Sequence, residues 1–292
     1  MHTQDATDDE VRHLRHAISV LDAFLPAVQA FVHDCWLYSP TEIQRGAVYE
    51  NGMVQAAFTW TGTYIHMAAD HLIALRQILA GGLLPSSACY TLIRGCAEAA
   101  VRASWLADPE IERTQRVKRA VAERLAIVEA KHKVDRDDPA YDKSGYSQHV
   151  DRIIKEAAAN KIPLKQPKTP EDPEQPKTPE DPPRLDIERF PNMTPLMDQQ
   201  LRRLVGQTQP HSWYYALLSS YAHSSPFTVL IGATLSAADE HDLFGVDVSP
   251  NVPQILKSTD PAAALLAQTT RDFGLMVGRN DAPLLPALVT ID

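Results

Sequence analysis

The sequence predicts an all-α fold, an antiparallel bundle of about seven to nine helices interrupted by a proline-rich insertion. Three observations predict it. Apolar residues recur at steps of three and four along most of the chain. Alanine, leucine and arginine, all good helix formers, are abundant, while glycine supplies only 12 of 292 residues. No long stretch alternates apolar with polar residues as a half-buried strand does.

The first helix opens on Asp8, Asp9 and Glu10, acids that suit the positive end of a helix dipole, and its stripe runs Val11, Leu14, Ile18, Leu21 and Leu25. Pro26 either kinks this helix or opens a second one reaching Leu37. A turn at Ser39-Pro40-Thr41 precedes a long helical pattern over residues 52–79, stopped by Gly81-Gly82. A polar row, Thr63, His66, Asp70 and Gln77, runs along that helix.

Residues 84–109 follow as a helix that is apolar on almost every side, the pattern of a helix at the centre of a bundle. It nevertheless carries Arg94, Glu98 and Arg102 at i, i+4 and i+8, one charged row on one face. Charges in such a place must be paired or used, since a lone buried charge is expensive. Asp108-Pro109 closes the helix, because a residue before proline resists the α region.

An amphipathic, heavily charged helix is expected over 110–135, with Val117, Val121, Leu125 and Val128 inward and Glu112–Arg116 and Glu129–Lys133 as outer pairs. A further helix covers about residues 146–160. Between 161 and 191 the periodicity fails, and QPKTPED occurs twice, nine residues apart. Proline and charge dominate there, so the segment reads as an extended linker or tolerated insertion. Helical order is expected again from Thr194-Pro195 to Gly206, from Ser212 through Tyr221, and from Ser224-Ser225-Pro226 to Ala238. Residues 240–258 read as loop, and Asp260-Pro261 opens a last helix that stops near Gly278. Residues 1–160 and 192–280 are thus expected to complete one bundle, with 161–191 inserted and 281–292 as a tail.

Composition narrows the function. Hydrophobic residues make up 44% and charged residues 22%, which excludes wholesale disorder. A net charge of −9 and a pI near 5.6 argue against a chain-wide nucleic-acid-binding surface. The three cysteines, Cys35, Cys89 and Cys96, include no CxxC pair, and Cys89 and Cys96 lie two turns apart on one helix, too far to bridge. The acidic N-terminus is unlike a signal peptide, and the apolar window from Trp213 to Leu235 reads as buried helix rather than membrane span. A soluble cytoplasmic protein is expected.

Candidate chemistry gathers on the charged row. Arg94 and Arg102 are candidate ligands for a small anion, with Asp70 and His66 beside them; the alternative is an internal ladder, satisfied by Asp70, that fixes helix register. His66, Asp70 and Glu98, joined by His211 or His223, are the residues from which a metal site would be built. The ExxH pairs of helical-bundle metal sites and the HExxH motif are both absent, so neither metal nor cofactor is expected. The sequence also lacks GxSxG, GxxxxGK[ST] and GxGxxG.

Residues 91–125 and 214–224 carry a resemblance. The pattern LxRxxxEAxxRAxWLxDP, placed here on Arg94, Glu98, Arg102, Trp105 and Asp108, followed by a basic helix and a late helix ending at His223, resembles a group of all-helical actinobacterial proteins of unassigned activity. It is also loosely similar to the HEPN and abortive-infection helical families. That second likeness implies an RNA-directed or defence-related enzyme, with Arg94, Glu98, Arg102, Tyr221 and His223 converging in one cleft. HEPN ribonucleases place an arginine shortly before the late histidine; positions 216–219 here are Ala-Leu-Leu-Ser. The leading expectation is therefore an interaction or regulatory module that self-associates through exposed helix faces. An RNA-directed enzyme and a small-anion-binding bundle are the alternatives. Protein is the expected partner, with nucleic acid second and no membrane.

Overall fold

The computed structural model describes residues 7–37, 53–82, 86–138, 143–159, 161–163, 185, 187, 190–205, 212–222, 234–235, 246–247 and 252–288. Among them are eight helices: α1 (Asp8–Leu37), α2 (Met53–Ala80), α3 (Ser86–Ala107), α4 (Arg113–Asp135), α5 (Lys143–Ala159), α6 (Met193–Val205), α7 (Ser212–Ala222) and α8 (Val252–Met276). The all-α bundle expected from periodicity is what the chain forms.

α3 lies at its centre. It packs against α2 and α8 most extensively, and α4, α6 and α7 cover its remaining sides. Ile93, Cys96, Ala97, Ala100, Val101, Ala103 and Leu106 are buried, so all of the helix but the face that carries Arg94, Glu98 and Arg102 contributes to the core. Small residues let α8 come close enough for the Thr269 hydroxyl to donate to the carbonyl of Ala100 at 3.0 Å. One continuous core joins residues from both sides of the 161–191 segment, including Leu72, Ile93, Met197, Leu218 and Phe273. All three cysteines are buried and unbridged, and burial pushes the Cys35 and Cys89 thiols up to about 11.

One proline alternative is decided by the structure and one proline expectation needs correction. α1 runs unbroken through Pro26, so no second helix opens there. Its stripe continues through Phe24, Leu25, Val28, Phe31, Val32 and Cys35, all buried. Packing over that length outweighs the roughly 3 kcal/mol that an interior proline costs a helix. Likewise α8 opens at Val252, eight residues before Asp260, and contains Pro261. Pro253 falls in its first turn, where the missing N–H costs nothing, and Val252, Ile255, Leu256 and Thr259 are buried. The loop expected over 240–258 is therefore helical from residue 252.

The helix expected to reach Ala238 is corrected as well: Thr234–Leu235 pairs antiparallel with Val246–Asp247. α8 ends in a double hydrogen bond characteristic of a glycine stop. Gly278 has φ 79°, its N–H donates to the carbonyl of Leu275, and the N–H of Arg279 donates to that of Gly274 at 2.7 Å. The residues beyond are fixed to the bundle. Leu288 is buried, its N–H donates to Asp260, and His16 bonds the carbonyl of Ala287.

By length and composition α1 is apolar enough to cross a bilayer. In the structure its apolar stripe is buried against α2 and α8.

Candidate functional site

The charged row of α3 divides into two units. Glu98 belongs to the first. Its Oε1 accepts from Arg94 Nε at 2.8 Å and from the phenol of Tyr215 on α7, also at 2.8 Å. Arg94 Nη2 donates to the same phenolic oxygen at 3.2 Å, and the guanidinium lies 5.4 Å from the Tyr215 ring centre. Burial and then the Glu98 carboxylate raise the Tyr215 phenol above its ordinary value. Partial burial pulls Arg94 down, but Glu98 and Tyr215 more than compensate and hold it above the usual arginine value.

Arg102 turns away from Glu98. Its Nη1 donates at 2.8 Å to Oε1 of Glu123 on α4, a residue with no exposed surface. The phenol of Tyr64 on α2 donates to the same oxygen. Phe190 lies under the guanidinium, 4.5 Å from its centre, and itself meets Trp105 edge-on at 5.1 Å. Burial, reinforced by the adjacent Glu123 carboxylate, raises the Tyr64 phenol far above its ordinary value. Glu123 Oε2 is buried without a hydrogen-bond partner. Three helices thus share one buried carboxylate, and the net charge of the Arg102–Glu123 pair is zero.

The far end of α3 is closed by α4. Arg116 is buried, and its guanidinium donates to the carbonyls of Leu106, Asp108 and Ile111, while Arg119 reaches the carbonyl of Trp105 and the Asp108 carboxylate. Positive charge at unpaired helix C-terminal carbonyls is favourable in two ways, by hydrogen bonding and through the dipole. The expected Glu112–Arg116 surface pair is thereby superseded, since Arg116 is an internal cap; further along α4, Lys131 pairs with Asp135.

Other expected members lie elsewhere. Asp70 is exposed and does not satisfy the row, so the internal ladder expected through it does not form. His66 faces α1 instead: its ring is 5.0 Å from that of Trp36, and burial lowers its pKa despite the opposing charge of Asp70. The Tyr221 side chain, His211 and His223 lie outside the described residues. Among the described residues no group of three or more His, Cys, Asp or Glu side chains is placed to hold a metal ion.

Sequence reasoning missed Tyr64, Glu123, Phe190, Tyr215 and His71. The His71 ring sits directly over Gly95, where an added Cβ would lie 2.6 Å from its Cε1 and Nε2. A glycine in mid-helix costs about 1 kcal/mol relative to alanine. Gly95 inside an otherwise strong helix was thus the available mark of a close neighbour.

Chemically, the row provides two arginines, each held by its own carboxylate and phenol. Both lie partly open to solvent, with 20% and 31% of the Arg94 and Arg102 side chains exposed. An anion approaching either would compete with a carboxylate already in place. Comparisons with protein-family models, curated proteins and solved structures return no match.

Proposed function

We propose that this chain is a cytoplasmic interaction or regulatory module that self-associates through the exposed C-terminal half of α4. The observation that carries this reading is the exposure of Ile127 and Val134, 43% and 77% exposed, two turns apart on one helix. α5 packs on α4 through the stacked rings of His132 and Tyr146, 4.2 Å apart, and the Arg124–Glu156 ion pair, yet leaves both apolar side chains uncovered. Beside the apolar pair lie Lys131 and Asp135, which form an ion pair with each other. A two-fold antiparallel pairing of α4 with its copy buries Ile127 of each copy against Val134 of the other. The commitment of Arg94 and Arg102 to internal carboxylates supports a structural use of the α3 row. Three buried, unbridged thiols suit a reducing compartment.

Sedimentation of the purified chain over a concentration series is expected to show a monomer–dimer equilibrium. The double variant Ile127→Glu/Val134→Glu is expected to remain monomeric with an unchanged Tm, because neither side chain is part of the core. A wild-type chain that stays monomeric, or a double variant that still dimerises, overturns the reading. The same preparation is expected to leave single-stranded RNA intact. Cleavage that disappears in His223→Ala would move the chain to the RNA-directed class.

A further inference from the structure

Asp272 is a buried acid that plays no part in the α3 row. It lies on α8 with 1% of its surface exposed. Its Oδ1 accepts from Gln268 Nε2 at 2.8 Å, one turn earlier on α8, whereas Oδ2 is buried without a hydrogen-bond partner. The nearest cation is Arg203 in the last turn of α6. Arg203 Nη2 stands 3.8 Å from Asp272 Oδ2 and 3.9 Å from Oδ1 of Asp108, the residue that follows α3. The guanidinium therefore lies almost midway between two carboxylates, too far from either for a hydrogen bond.

The two acids are unequally held. Asp108 already accepts from Arg119 Nη1 at 3.2 Å and from the backbone N–H of Glu110 at 3.1 Å. Among the described residues, Asp272 accepts a hydrogen bond from the Gln268 amide alone. A buried carboxylate oxygen left without a donor carries the full cost of its desolvation.

We propose that Arg203 is a proton-operated switch, closing on Asp108 when Asp272 Oδ2 carries a proton and on Asp272 when that proton has left to solvent. The charged groups acting on Asp272 are few. Asp108 opposes its ionisation, and Arg203 from α6 and Arg271 on α8 itself favour it. Burial is the largest influence, and it holds the Asp272 carboxyl above the ordinary aspartate value of 3.8. The folded chain thus keeps a proton that the unfolded chain has already lost. The stability Asp272 contributes accordingly falls as pH rises from the ordinary aspartate value through the raised one.

The motion has a defined route into the fold. Arg203 Nη1 also donates to Gln200 Oε1 at 3.1 Å, and Gln200 Oε1 accepts from Ser104 of α3 at 2.8 Å. A shift of the Arg203 head therefore acts on the junction of α6 with the central helix.

NMR titration of the full chain tests this, following the Asp272 carboxyl carbon and the Arg203 side-chain nitrogens. Both are expected to move with one common midpoint above 3.8. In Asp272→Asn the Arg203 signals are expected to become flat over that range, and the fall in stability with pH over it to disappear. In Asp108→Asn, which leaves Arg203 wholly to Asp272, the Asp272 midpoint is expected to drop. That second variant decides the matter should Asp272→Asn fail to fold. An Asp272 midpoint at or below 3.8, Arg203 signals that do not follow it, or an unmoved midpoint in Asp108→Asn overturns the switch.

Discussion

Replacing Arg102 with methionine is expected to cost about 3–5 kcal/mol of folding stability, the range for stripping one partner from a buried ion pair. The cost falls on Glu123. Its carboxylate has no exposed surface, one of its oxygens already lacks a partner, and only the Tyr64 phenol would remain on the other. The reverse deletion, Glu123→Gln, is expected to cost less, because Arg102 is 31% exposed and water can reach it. The asymmetry separates this account from one in which the two residues contribute equally. A double variant isolates the uncompensated charge. Arg102→Met combined with Glu123→Leu removes both charges, and exchanging a buried pair for apolar groups of similar volume is often neutral or favourable. The double variant is therefore expected to regain most of what Arg102→Met loses. Urea unfolding of the wild type and these three variants measures the differences directly. A double variant no more stable than Arg102→Met alone would show that the loss does not come from leaving the Glu123 carboxylate buried and unpaired.

The charged row itself was legible because i, i+4, i+8 spacing fixes a helix face without any tertiary information. Its partners were not, for a geometrical reason visible on α2. The polar residues Thr63, His66, Asp70 and Gln77 share one row, which suggested that this row faced the charges of α3. In the bundle Thr63, Asp70 and Gln77 are exposed, and the side of α2 turned to α3 carries Tyr64 and His71. Periodicity identifies faces but does not say which face meets which neighbour. Glu123 illustrates the same limit, since a glutamate on a helix rich in charge is ordinarily solvated. Its flanking Ala120 and Ala122, both buried, are the feature that distinguishes it, because small residues allow a second helix to approach closely. The helix start at Asp260-Pro261 was misplaced for a different reason. A single-residue rule was set against a buried stripe many residues long, and the stripe carried more free energy.

Phe273→Ala is expected to produce a loss of comparable size, about 3–5 kcal/mol, with a fall in Tm on the order of 10 °C. Phe273 is wholly buried, and its ring stacks on that of Phe58 of α2, 5.0 Å between centres and 27° between planes. α8 packs on α1, α2, α3 and α6, so a cavity at this position loosens several contacts at once. Phe273→Leu refills most of the volume and is expected to recover more than half of the loss. The next residue gives the opposite test. A methyl on Gly274 would lie 2.8 Å from Cζ of Phe31 and 3.1 Å from the backbone oxygen of Arg279. Phe31 has little room to retreat, because the Arg279 guanidinium lies 4.5 Å from its ring centre and is itself bonded twice to Asp281. Gly274→Ala gains about 1 kcal/mol of helix propensity but meets an overpacking cost of about 1–3 kcal/mol. A small net destabilisation is therefore expected, with the segment beyond α8 losing hydrogen-exchange protection before the core does. If Gly274→Ala instead stabilises the chain without loosening residues 279–288, the close seating of Phe31 against the end of α8 is not what fixes that segment.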